Sequence, residues 1–200
     1  MSSTSAPFGF RPSFHNSGQM RPKAYTIASG YAANIFQGDV VKLATTGVVQ
    51  LGTSDGTRAG TTDGIRVLGV FAGVEFNDAQ GKPVVSNFWP TGVTATAIRC
   101  YVYDDPEMLF DVQFTNPGTA GTDSVQQYVG DECDWTVASP GGSTFTGLST
   151  TQLTAVQSTS GQFQITGFAY GVNDTLTDAY VVATVRPNEH QYKASVNSVG

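Results

Sequence analysis

At 200 residues the chain is long enough for one domain with its own core, and 11% aromatic residues exclude wholesale disorder. Its net charge of −6 is uneven: residues 1–38 carry +3, residues 39–178 carry −10 and residues 179–200 carry +1. An acidic body argues against nucleic acid as a partner, because neutralising phosphates needs a clustered basic face. No apolar run is long enough to cross a bilayer, so no membrane partner is expected either.

Residues 1–22 contain Pro7, Pro12 and Pro22, which exclude a continuous helix and favour extended backbone. They also contain Phe8, Phe10 and Phe14, too much aromatic surface for a free tail. Twenty extended residues reach roughly 60–70 Å. The segment is expected to be an arm laid on another surface, the alternative being that its phenylalanines fold back onto their own domain. Residues 23–187 are expected to form a β-rich body, and residues 188–200 a polar tail.

Lys23–Ala28 reads as the first strand, and Asp39–Ala44 with Val48–Leu51 as a hairpin turning at Thr45-Thr46-Gly47. Thr53–Gly64 is polar and glycine-rich and reads as a loop. Three apolar runs follow, Val67–Phe76, Val84–Trp89 and one around Ile98, Cys100 and Val102, which read as neighbouring strands of a half-buried antiparallel sheet. Leu109–Thr115 alternates with period two and turns Phe110, Val112 and Phe114 inward. Asp123 is placed to cap a short helical turn over Ser124–Val129. Cys133–Ala138 reads as a strand ended by Pro140-Gly141-Gly142, and Thr144–Gln157 fits a strand or an irregular loop. Phe163 and Ile165 share one face of Gln162–Tyr170, and Tyr180–Val185 is the last strand, stopped by Pro187. The expected fold is mainly β, an antiparallel barrel or sandwich with ten or so strands and at most one or two short helices.

No catalytic constellation is legible, so neither enzyme activity nor a metal or cofactor is expected. His15 and His190 lie in opposite terminal segments and read as solvated or interface residues. Asp104-Asp105-Pro106-Glu107 and Asp131-Glu132-Cys133-Asp134 have carboxylates but no spaced calcium loop, and read as solvated turns. Gly73–Pro83 lacks the Ser/Thr and the glycine spacing of a phosphate loop. Trp89, with Phe88, Tyr101 and Tyr103, could make a stacking platform for a sugar or base, although strand aromatics are usually core. Cys100 and Cys133 are too few for a disulfide framework and read as two unrelated thiols, the alternative being one bridge between them. Met1 leads into a polar Ser/Thr run without the apolar stretch of a secretion signal, so synthesis in a cytosol is expected.

Four phrases taken together carry a resemblance: APFGFRP at Ala6–Pro12, SGQMRPKAYTIASGYAANIFQGDVVKL at Ser17–Leu43, VYDDPEMLFDVQ at Val102–Gln113 and VATVRPNEHQY at Val182–Tyr192. They resemble a family of tailed-bacteriophage virion proteins that includes capsid decoration, or cement, proteins. The resemblance implies a non-enzymatic protein made in the bacterial host cytoplasm and fixed to the outer capsid surface. It implies homotrimers or other small oligomers that bridge major capsid protein subunits through extended arms, by strand addition. On that basis Phe8, Phe10, Arg11, Phe14, Arg21 and Lys23 are the expected contacts, with Tyr192 and Lys193 secondary. A tail, connector or head-fibre component of the virion is the alternative, and a carbohydrate-binding module a further one.

Overall fold

A computed structural model of the chain describes residues 4–53, 66–157, 161–169 and 175–193. The strands, in order, are β1 (Arg11–Phe14), β2 (Lys23–Tyr25), β3 (Ile35–Phe36), β4 (Val40–Leu43), β5 (Val49–Leu51), β6 (Gly69–Asn77) and β7 (Pro83–Ser86). They continue as β8 (Phe88–Trp89), β9 (Thr96–Tyr103), β10 (Leu109–Thr115), β11 (Glu132–Gly142), β12 (Ser149–Gln157), β13 (Phe163–Phe168) and β14 (Tyr180–Pro187). The fold is mainly β, as expected. All pairings between named strands are antiparallel.

One sheet runs β1-β10-β14-β13-β11-β12, a second runs β2-β9-β6-β4-β5 with β7 also on β6, and β3 and β8 form a separate ribbon. Together they pack into a sandwich-like body. The alternation in β10 does what its period predicts: Phe110, Val112 and Phe114 are fully buried, each gaining about 1.5–3 kcal/mol from leaving water. Phe163 and Ile165 join them in one core cluster. A second cluster, around Phe71, Trp89, Cys100 and Val102, fills the other sheet. The expected neighbourhood of three central strands holds for β6, which pairs β7 along one margin and β9 along the other.

Each sheet has its margins joined by the chain that adjoins its outermost strands. In the second sheet the amide of Val49 in β5 donates to Thr26, just past β2, at 2.8 Å. In the first, Gly9, just before β1, donates to Thr151 in β12 at 3.1 Å, and Phe10 donates to Gly38 at 2.9 Å. The Gln113 side chain of β10 fixes the same seam: its Oε1 accepts from Ala6 N–H at 2.8 Å, and its Nε2 donates to Gln152 and to Ser5. A left-handed φ of +76° at Gly9 and a close approach to Ser149 explain why glycine stands there, since a Cβ would lie 2.9 Å from that side chain.

Local differences from the sequence reading have physical reasons. Ser124, not Asp123, caps the single 3-10 turn Val125–Tyr128, while Asp123 accepts the Thr119 N–H at 2.7 Å to close the preceding loop. β11 continues through Pro140 because a register shift between Val137 and Gly142 accommodates a residue that cannot donate. The Thr-rich stretch left open between strand and loop supplies β12. The run Val84–Trp89 divides at Asn87 into β7, on β6, and β8, on β3. The polar loop expected over Thr53–Gly64 lies, from residue 54 on, outside the described residues.

Candidate functional site: the acidic turn and the chain ends

β9 leaves the second sheet and β10 enters the first through the turn Asp104–Met108. Met108 anchors this turn in the core, at 1% exposure. Its backbone amide donates to Asp105 at 3.1 Å, and the Asp105 carboxylate accepts the Glu107 N–H at 2.9 Å. The three acids of the turn are thereby held outward along one edge. Both chain ends come to them.

From the N-terminal side, His15 Nε2 lies 3.0 Å from Asp105 and Lys23 Nζ lies 3.5 Å from Asp104. The Tyr25 hydroxyl donates to Asp104 at 2.5 Å. Partial burial, then the hydrogen bond to Asp104, push the Tyr25 phenol far up, so it stays a proton donor. From the C-terminal side, Lys193 Nζ donates to Glu107 at 2.7 Å and Arg186 stands 3.8 Å from the same carboxylate. The Lys193 ammonium holds the Glu107 carboxyl below the usual carboxylate range. Lys23 lies over the rings of Tyr25 and Tyr192, at 5.4 and 5.6 Å. The Glu107 pairs with Lys193 and Arg186 are solvent-exposed and contribute about 0–1 kcal/mol each, while the His15 and Asp104 side chains are more sheltered, at 15% exposure. They form a clasp of charge between the basic ends and the acidic body of one molecule.

The expected arm residues separate into two groups. Phe10 is a core residue at 1% exposure, packed on Phe163 with centroids 4.6 Å apart and edge-on to Phe110 at 6.4 Å. It is therefore unavailable to a partner while the domain is folded. Ser5–Phe14 are a structural part of the first sheet, which begins before the expected body boundary at Lys23. Phe8 is half-buried under the Arg11 guanidinium, 4.6 Å from its ring centroid. Phe14 is 53% exposed, and Arg11, Arg21 and Lys23 are exposed. Tyr192 is 47% exposed.

Other candidates are relocated. Trp89 is fully buried, with Phe76 edge-on at 5.3 Å, and cannot serve as a stacking platform. His190 is not solvated: it is 1% exposed, and its Nδ1 accepts the Tyr192 N–H at 3.0 Å. Burial pushes its pKa down. The segment around it is built into the body, because Val67 donates to Glu189 and Gln191 donates to Val67. The Gln191 amide also brackets the Leu43 peptide with one bond in each direction. Asp134 is buried and accepts the Gln162 N–H, so the second acidic cluster is not simply a solvated turn. Cys100 and Cys133 are free, buried thiols in different core clusters, and burial pushes Cys100 up to about 12.

A buried carboxylate was not singled out from sequence. Asp39 accepts from Ser149 Oγ at 2.5 Å, Thr151 Oγ1 at 3.1 Å and the Phe36 N–H at 2.7 Å. Burial pushes its pKa up while these donors oppose the shift. At 3% exposure it joins β12 to the start of β4 and serves packing. Among the described residues, no group of three or more His, Cys, Asp or Glu is placed to hold a metal ion.

The most exposed large apolar side chains among the described residues, both missed by sequence reasoning, are Val85, 84% exposed in β7, and Phe145, 98% exposed between β11 and β12. A signal for the second was present: from Trp135 to Asn173 no residue is charged, and Phe145 stands alone among Ser, Thr and Gly. No family model matches the chain, and neither a curated protein nor a solved structure matches it.

Proposed function

We propose that this chain is a structural, non-enzymatic protein of a tailed-phage particle that decorates the outer capsid surface and stabilises it by bridging major coat protein subunits. It works without a cofactor, associates with itself as a homotrimer, and is made in the host cytoplasm. The observation that carries this reading is the margin strand β1 with the crossing that follows it. Three of its four residues are exposed, Phe14 is 53% and Met20 45% exposed, and Arg11 and Arg21 reach into solvent beside them. Among the described residues β1 pairs one strand, β10, and the seam to β12 is made before it at Gly9, so the far edge of Arg11–Phe14 can accept an extended segment. Mixed aromatic and basic side chains on such an edge suit a partly acidic protein surface, where Arg and aromatics serve as anchors. Repetition over a lattice makes weak individual contacts sufficient.

The test is co-sedimentation of full-length protein with phage heads lacking it, comparing the natural chain with a Phe14→Ser/Arg21→Ser double variant. Both positions are exposed, so the variant is expected to fold and to lose retention on heads by tenfold or more, the effect of about 1.4 kcal/mol. Full occupancy by the variant would exclude this surface. A copy number of a dozen or fewer per particle would favour a tail or connector part.

A further inference from the structure

Phe145 stands at the tip of the β11–β12 hairpin with its ring 98% exposed, yet the tip is tightly bonded. Ser143 N–H donates to Leu148 O at 2.9 Å, Gly147 N–H to Ser143 O at 2.7 Å, and Thr146 N–H to Ser143 Oγ at 3.3 Å. The hairpin is pinned to the β3–β8 ribbon by Gln37 N–H on Gly147 O at 2.9 Å and Ser149 N–H on Gln37 O at 3.0 Å. Gly142 lies so close to the Phe36 ring, and Gly147 to Asn87, that a Cβ at either would meet them at 2.3 or 2.6 Å. The backbone beneath the ring, so bonded, has little conformational entropy left to lose, and the ring has a full face of apolar surface to bury.

The same chain carries a recess that matches it. At one end of the second sheet a groove of about 380 Å³ is walled by Phe76, Pro83, Val84, Val85, Ala97 and Ile98, with Glu75 and Arg99 among its lining residues. Ala97 holds a left-handed φ of 51° beside a register shift between β6 and β9, a strained backbone that shapes the wall. Glu75 and Arg99 pair at 3.7 Å and cancel in charge.

We propose that this groove receives Phe145 from a second copy of the chain. The knob is apolar and so are the walls, and the exposed Arg99 guanidinium can lie over an aromatic ring seated there. Charge selects this contact among copies. Two molecules of net charge −6 repel generally, but the hairpin belongs to the uncharged stretch Trp135–Asn173 and meets a neutral rim. Placement permits closure: Asn87, against which Gly147 rests, lies two residues beyond Val85 of the groove wall. Knob and groove therefore sit at one end of the molecule. Copies related by a rotation axis can each give a ring and take one, which closes an assembly rather than extending a fibre. The inference deepens the self-association in the function proposed above but does not depend on coat binding.

Analytical ultracentrifugation of the full-length chain over micromolar concentrations tests it, with Phe145→Ser and Val85→Glu as separate variants. The natural chain is expected to sediment as a closed oligomer. Each variant is expected to sediment as a monomer, with circular dichroism unchanged because both positions are exposed. Mixing the variants should recover heavier species, since one keeps the groove and the other keeps the ring. A natural chain that stays monomeric, variants that keep the oligomer mass, or a mixture that stays monomeric each overturns the proposal. Head co-sedimentation separates the two readings: assembly without head binding removes the decoration function alone, and head binding by a monomer removes this contact alone.

Discussion

Two adjoining pieces of the N-terminal segment are held to the body by different forces. Ser5–Phe14 close the first sheet through burial and backbone pairing, with Phe10 inside the core. Residues 15–22 cross over the acidic turn with a side-chain contact from His15 to Asp105, before Lys23–Tyr25 pair β9 and reach Asp104 through Lys23 and the Tyr25 phenol. The contrast teaches that position in an N-terminal, proline-rich stretch says little about attachment. Side-chain burial decides it: the first piece is sealed by a core aromatic, whereas the crossing over residues 15–22 that leads into β2 can be given up cheaply.

The sharpest way to break this contrast is Phe10→Ala. Emptying a fully enclosed aromatic site should cost about 3–5 kcal/mol, read as a lower denaturant midpoint at unchanged slope. A loss under about 1 kcal/mol would mean that the seam is held by its hydrogen bonds alone.

The next largest effect concerns the buried C-terminal tie at His190. Its pKa is lowered in the folded state, so below the ordinary histidine value of about 6.5 the unfolded chain binds the proton more readily. The stability present above that pH is therefore lost as pH falls through it. Denaturant midpoints taken from pH 8 to 5 should drop for the natural chain and stay flatter for His190→Gln. Parallel curves for the two proteins would remove histidine as the cause.

The smallest effect is expected at the clasp. Glu107→Gln removes the negative charge shared by Lys193 and Arg186 and should cost about 0–1 kcal/mol. Raising salt to about 1 M should reduce the difference between natural chain and variant, since screening then acts within about 3 Å. A loss as large as that of Phe10→Ala would make the clasp a structural element equal to the seam.

Much of the fold was legible where local pattern and tertiary role coincide. The alternation of Phe110, Val112 and Phe114 reports a buried face directly, and the β4–β5 hairpin is written in its turn. The role of Phe10 was not legible, because Thr151, Gly38 and Phe163 are distant in sequence and no local period links them. Charge asymmetry was legible as opposite signs at ends and body, but sign alone does not say whether the partner is another molecule. Here the acidic turn of the same chain meets the basic ends. Phe145 escaped notice because exposure of one aromatic in a Ser/Thr-rich hairpin follows from how Gly142 and Gly147 dock it, not from periodicity.

The seam also fixes an order of events during synthesis. β1 lies beside β10, and β10 beside β14, so β1 must wait for strands that are synthesised long after it. Phe10 has no native neighbour in Phe163 until β13 has been made. Loop closure over such separations is slow, and the nascent chain must carry an exposed aromatic until β13 arrives.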